Sequence, residues 1–164
     1  MSSPREAGGG SQIHARLAIT ELLYRYAELI DAGDFDGVGQ LLARATFAGT
    51  RSPSTSGAEA IAKLFAMTTR RYPDFGNTPR TRHLVLNPIV EVNGRTATAR
   101  STFCVVQNTE TVPLQPIVVG RYFDSFSCDR DVPAGWYFTA RQVDVEMIGD
   151  ISAHLTFDPR EFDR

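Results

Sequence analysis

The chain has 164 residues, 42% of them hydrophobic and 22% charged, with a formal net charge of −2. That length suits one domain with a core of its own, large enough to need no disulfide or metal staple. The charge balance offers no basic surface, so neither nucleic acid nor an anionic membrane is expected as a partner.

Residues 1–11, ending SSPREAGGGS, lack the apolar stretch of a secretion signal and read as a disordered lead-in to a single domain over 12–164. Residues 12–32 form the clearest helix, with Ile19, Leu22, Leu23, Tyr26 and Ile30 on one face. Gly33 ends it, and Asp34 is a good N-cap for a short helix over 35–43. A short strand over 45–48 follows, then a Ser/Thr/Pro-rich loop over 50–57. A third helix over 58–70 turns Ile61, Leu64, Phe65 and either Met67 or Thr68 inward. Residues 72–79 carry two prolines and a glycine and read as a loop.

Beyond that point the period changes from 3.6 to 2. Strands are expected over 81–92, 96–107, 114–128 and 136–148, the first pair joined by a hairpin turn at Asn93-Gly94. The tail after Ala153 has no clear period and is expected to pack on the surface or fray. Helices first and an antiparallel meander after is an α+β pattern. A sheet curling around the first helix would leave one deep apolar cavity between them. No stretch has the length of a membrane helix. Cys104 and Cys128 lie in apolar, strand-like sequence without metal-ligand spacing, so a reduced, cytoplasmic setting is expected, with no metal site.

Residues 19–47, ITELLYRYAELIDAGDFDGVGQLLARATF, together with GRYFDSF at 120–126 and GWYFTARQV at 135–143, resemble SnoaL-like proteins of the nuclear-transport-factor-2-like superfamily. The resemblance covers about residues 12–150. It implies a cone-shaped α+β barrel, three N-terminal helices packed in a strongly curved, mostly antiparallel sheet. Within that group the chain is most similar to the branch of scytalone dehydratase, bile acid 7α-dehydratase and lindane dehydrochlorinase. That branch implies an Asp at the end of the first helix and a His on the first long strand, here Asp31 and His83. Tyr26, five residues before the Asp, and Arg141 on the last strand also fit the bile-acid-type pattern. No cofactor is implied. Two departures narrow the chemistry. The general-base Asp of ketosteroid isomerase would fall near Ala48 or Gly49, where no carboxylate stands. The second His or Asp of the dehydratases would fall near Val106, Gln107 and Asn108, where only amides are offered.

The resemblance therefore implies His83 as a general base oriented by Asp31. Tyr26 would hydrogen-bond a substrate carbonyl or leaving hydroxyl, and Arg141 would hold a carboxylate or enolate. Each has a plainer reading. Asp31 caps the second helix or faces solvent, and His83 is a satisfied strand histidine. Tyr26 is a core residue, and Arg141 pairs with Glu110, Asp124 or Asp144. His14 and His154 are expected to be solvated. The expected function is a cofactor-independent lyase of dehydratase type acting on a hydrophobic, ring-bearing molecule such as a steroid or polyketide. The alternatives are a non-catalytic binding or assembly domain of the same fold, or a polyketide cyclase or isomerase. A homo-oligomer, trimer or dimer, is expected because the outer sheet face is apolar. Loops 50–57, 72–80 and 108–116 would shape the pocket, with 113–116 placed to act as a lid.

Overall fold

The structure, a computed structural model, describes residues 5–50, 52–129 and 135–160. Helix α1 spans Arg5–Ala32, α2 Phe35–Leu41 and α3 Ala58–Thr68. Short strands β1 (Thr46–Ala48) and β2 (Thr55–Ser56) separate α2 from α3. A 3-10 turn, Pro73–Phe75, leads into the long strands β3 (Thr81–Asn93), β4 (Thr96–Gln107), β5 (Gln115–Cys128) and β6 (Trp136–Ile148). The six strands make one sheet in the order β2-β1-β6-β5-β4-β3. All neighbours are antiparallel except β1 and β6, where Thr46 pairs with Ala140. The α+β class is that expected from the sequence, and so is the order of elements apart from β2 and the 3-10 turn, which fall in segments expected to be loops.

Period-two patterning is visible along β4, where Ala97, Ala99, Ser101, Phe103, Val105 and Gln107 are buried and their neighbours are not. Register shifts fall between Leu86 and Ile89, Val105 and Val106, Val119 and Gly120, and Ser125 and Phe126. Such bulges sharpen the local twist and bend a sheet across its face. Against the inner face lies α1, burying Ala15, Ile19, Leu23, Tyr26, Ala27 and Ile30. Asp34 caps α2 as expected, its Oδ1 accepting from the Gly37 amide at 2.8 Å.

Three expectations are corrected. Helix α1 begins at Arg5, so the lead-in is helical from that residue; residues 1–4 lie outside the described ones. The β3–β4 turn is one residue later than expected: Asn93 pairs with Thr96, and Gly94 takes the positive φ of 59°. In the tail after Ala153, Thr156, Phe157 and Arg160 lie on the surface as expected, and residues 161–164 lie outside the described ones. The tail nevertheless starts in the interior, with His154 buried beside Ile151 and Ala153. Their backbone is tied to the end of α3, the Arg70 amide donating to the His154 carbonyl at 2.8 Å and the Thr156 amide to the Thr68 carbonyl at 3.0 Å.

Candidate functional site

Asp31 is the penultimate residue of α1, where the helix dipole disfavours a carboxylate. The start of β3 supplies the compensation. Asp31 Oδ1 accepts from the Thr81 hydroxyl at 2.9 Å and meets His83 Nδ1 at 2.7 Å. Oδ2 accepts the His83 backbone N–H at 2.8 Å. One carboxylate therefore fixes both the backbone and the ring of His83. With Asp31 ionised, the Nδ1 position carries the proton, which leaves Nε2 with a free lone pair. The Asp31 and His83 side chains are 11% and 9% exposed. Of the two readings open for Asp31, the helix-2 cap belongs to Asp34, and the contact with His83 is made.

Tyr26 and Arg141 stand deeper, on facing elements. Arg141 is held by Asp124, one of its three expected partners, through Nε at 2.8 Å and Nη2 at 2.9 Å, and neither side chain is exposed. Its guanidinium lies 4.0 Å from the Tyr26 ring centre and 4.1 Å from that of Tyr122. Burial disfavours the charge of Arg141, but Asp124, by its own charge and its hydrogen bonds, outweighs this and holds Arg141 above its ordinary pKa. Burial likewise pushes the Tyr26 phenol up to about 12, against the pull of Arg141. Among the described residues Arg141 Nη1 has no partner.

These side chains, with Phe126 and Phe138 behind them, fill the middle of the inner face, so the deep apolar cavity expected there is replaced by packed rings around an ion pair. The large opening lies at the end of α1 instead. It is a cleft of about 780 Å³ between α1, the 73–82 segment, the end of β4 and Leu114. Asp31, Thr81 and Gln107 stand on its wall, as do Glu28, Arg80 and Arg82.

The residue that the sequence reading missed is His154. Expected in solvent, it is 7% exposed, its ring centre 6.2 Å from that of His83. Burial first, and then the neighbouring His83, lower its pKa to about 3, with Asp31 opposing. His154 is therefore a neutral imidazole at neutral pH, and its buried Nδ1 has no partner among the described residues. The carbonyl before it, that of Ala153, accepts from Gln107 Nε2 at 3.0 Å and from the Tyr72 hydroxyl at 2.6 Å. So the amide at the position where dehydratases would carry a second His or Asp anchors the strap that brings in His154. The signal was present in Ile151-Ser-Ala-His-Leu155, where small and apolar residues flank the histidine.

The SnoaL-like domain family profile matches residues 11–142. No curated protein matches the sequence. Among solved structures, a nuclear-transport-factor-2-like protein with a cystatin-like fold from Novosphingobium aromaticivorans is 24% identical. The match covers 93% of this chain and 96% of that one, with a TM-score of 0.69. A candidate scytalone dehydratase from the same organism is 19% identical over 87% and 91% of the two chains, with a TM-score of 0.67. A Mycobacterium tuberculosis protein of unknown function is 21% identical over 85% and 76%, with a TM-score of 0.68. At these identities the likeness is one of fold.

Proposed function

The chain belongs to the SnoaL-like domain family, and on that footing we propose that it is a cofactor-independent lyase of dehydratase type acting on a hydrophobic, ring-bearing molecule such as a steroid or polyketide. The observation that carries the reading is the Asp31–His83 pair, locked by three hydrogen bonds to Asp31, which itself stands on the wall of the cleft. His83 Nε2 takes the proton beside a substrate carbonyl, and the electron pair of that C–H bond forms an enolate. The enolate collapses, the bond to the β-hydroxyl breaks, and the proton on Nε2 leaves with that hydroxyl as water. Asp31 keeps Nδ1 protonated throughout and stabilises the imidazolium between the two transfers. Tyr26 and Arg141 are buried and do not line the cleft, so on this reading neither contacts the enolate oxygen, and the chemistry rests on Asp31 and His83.

The test is turnover of a panel of β-hydroxy ring ketones, followed by the ultraviolet absorbance of the conjugated product. His83→Ala and Asp31→Asn are expected to lose about 10²- to 10⁴-fold in kcat, the usual worth of a positioned base. A wild-type protein inert towards the whole panel, or a His83→Ala variant as active as wild type, overturns the reading. The second reading, a non-catalytic binding or assembly domain, is favoured by one observation: the inner face is filled rather than hollow. It predicts ligand binding with no product.

Either role goes with self-association through the outer sheet face. There Leu84, Cys104, Val119 and Met147 pair across four strands in one row, with Leu84 43% and Met147 59% exposed. Sedimentation equilibrium is expected to show a dimer or trimer that Leu84→Glu dissociates. A wild-type monomer at all concentrations would refute it.

A further inference from the structure

The cleft beside Asp31 has an electrostatic character that the lyase reading does not use. Four charged side chains line it: Glu28, Asp31, Arg80 and Arg82. Both carboxylates are already engaged. Asp31 accepts from Thr81 and His83, and Glu28 accepts from Arg25 Nη1 at 2.6 Å. Neither arginine has a carboxylate partner among the described residues. Arg80 donates only through Nε, to the Asn108 carbonyl at 3.0 Å, and Arg82 only to the carbonyl of Thr81 at 2.7 Å. The charged hydrogen-bonding capacity left unmet in the cleft is therefore donor capacity, carried by guanidinium groups; the unpartnered acceptor on its wall, Gln107 Oε1, is buried and neutral.

Arg80 is also held in place at a cost. Its φ is 61°, in the left-handed region that a β-carbon disfavours. Three contacts maintain it. The Asn108 amide donates to the Arg80 carbonyl at 3.2 Å, Nε returns a bond to the Asn108 carbonyl, and the guanidinium carbon lies over the Phe75 ring, 4.1 Å from its centre. Nε is consumed by these contacts, and among the described residues the two Nη nitrogens donate to none. A planar fork with two parallel N–H groups matches a carboxylate or sulfonate. Phe75, at 45% exposure, and Leu114, at 73%, offer apolar surface in the same cleft for a ring.

We propose that the cleft selects ligands bearing an anionic head group on an apolar ring body, with Arg80 as the anchor and Arg82 as its support. The substrate of the lyase would then be a β-hydroxy ring ketone that also carries an acidic group. This rests on the proposed function only for the word substrate; the anion site stands without it.

The test is fluorescence titration with 1-anilinonaphthalene-8-sulfonate and with N-phenyl-1-naphthylamine, the same ring system without the sulfonate. Wild type is expected to bind the sulfonate about tenfold more tightly, the worth of one partly exposed charge-assisted contact. That preference is expected to shrink as salt rises from 50 mM to 500 mM, as for any exposed ion contact (approximate bounds). Arg80→Gln should remove most of the preference and the double variant Arg80→Gln/Arg82→Gln all of it, at constant affinity for the neutral probe. Arg100→Gln, which loses the same charge from an arginine paired with Glu91 away from the cleft, should behave as wild type. Equal affinity of wild type for the two probes overturns the proposal. So does a double variant with native circular dichroism that keeps the preference. The readout is binding, so an inert wild type in the turnover assay leaves this result untouched, and a failed titration leaves the lyase reading untouched.

Discussion

Asp31 shows how a single carboxylate can carry two separable duties. Asparagine at that position keeps an acceptor oxygen near Thr81 and His83 but loses the charge that selects the Nδ1–H tautomer. Alanine leaves the Thr81 hydroxyl and the His83 amide buried without an acceptor. Asp31→Ala is therefore expected to cost about 1–3 kcal/mol more in urea unfolding than Asp31→Asn, the range for an orphaned buried donor. Equal stabilities of the two variants would show that water replaces the carboxylate. The Asp124–Arg141 pair allows a harsher test. Asp124→Asn leaves a buried guanidinium without its counter-charge, and about 3–5 kcal/mol of stability should be lost. Replacing both partners, Asp124→Leu with Arg141→Met, should recover much of that. At this scale the sequence made Asp31, His83 and Arg141 stand out, and it offered Asp124 as one partner among three. For His154 the small and apolar neighbours were the one local sign of burial, and nothing in residues 151–155 says that Gln107 and Tyr72, far away in sequence, will hold the preceding carbonyl.

The elements were most legible where the period was strict. Strand β6 runs over Trp136–Ile148, as the alternation of its residues implies, and β4 over Thr96–Gln107. Strand β2, two residues long, is too short to have a period, and it exists because Phe47 finds Thr55 across a turn. Helix α1 continues through Gly8–Gly10, residues of poor helix propensity, so no stop signal could be read correctly there. Close packing between elements is likewise invisible in a pattern of hydrophobic letters. Gly120 lies at a register shift of β5, and a β-carbon on it would come 2.1 Å from the Asp144 carbonyl oxygen and 2.9 Å from the Phe103 ring. Gly120→Ala is expected to lower stability by about 1–3 kcal/mol through overpacking, seen as a lower urea midpoint with an unchanged slope. A midpoint within error of wild type would mean that β5 and β6 shift apart without cost.

For the whole molecule, the strap after β6 links stability to acidity. His154 titrates at about 3 in the folded state, against an ordinary value of 6.5. Between those values the unfolded chain binds a proton that the folded one does not. The contribution is therefore complete above pH 6.5 and is lost as pH falls towards 3, at up to about 1.4 kcal/mol per pH unit. The groups facing the ring are His83 and Asp31, from β3 and α1. Urea midpoints at several pH values from neutral down to acid should fall more steeply for wild type than for His154→Gln. Parallel curves would assign the acid sensitivity to other groups.

Strand β6 lies between β1 and β5, although it is made after the other five described strands. β1 is among the first, and its parallel partner is Ala140–Gln142. A growing chain on the ribosome can form the helices, the β1–β2 pair and the β3–β4–β5 meander, but until residue 148 has emerged β5 has an open edge and β1 lacks its parallel partner. The two halves of the sheet therefore join only once β6 has been made. A ribosome paused before codon 136 holds a chain that presents a free edge to its neighbours.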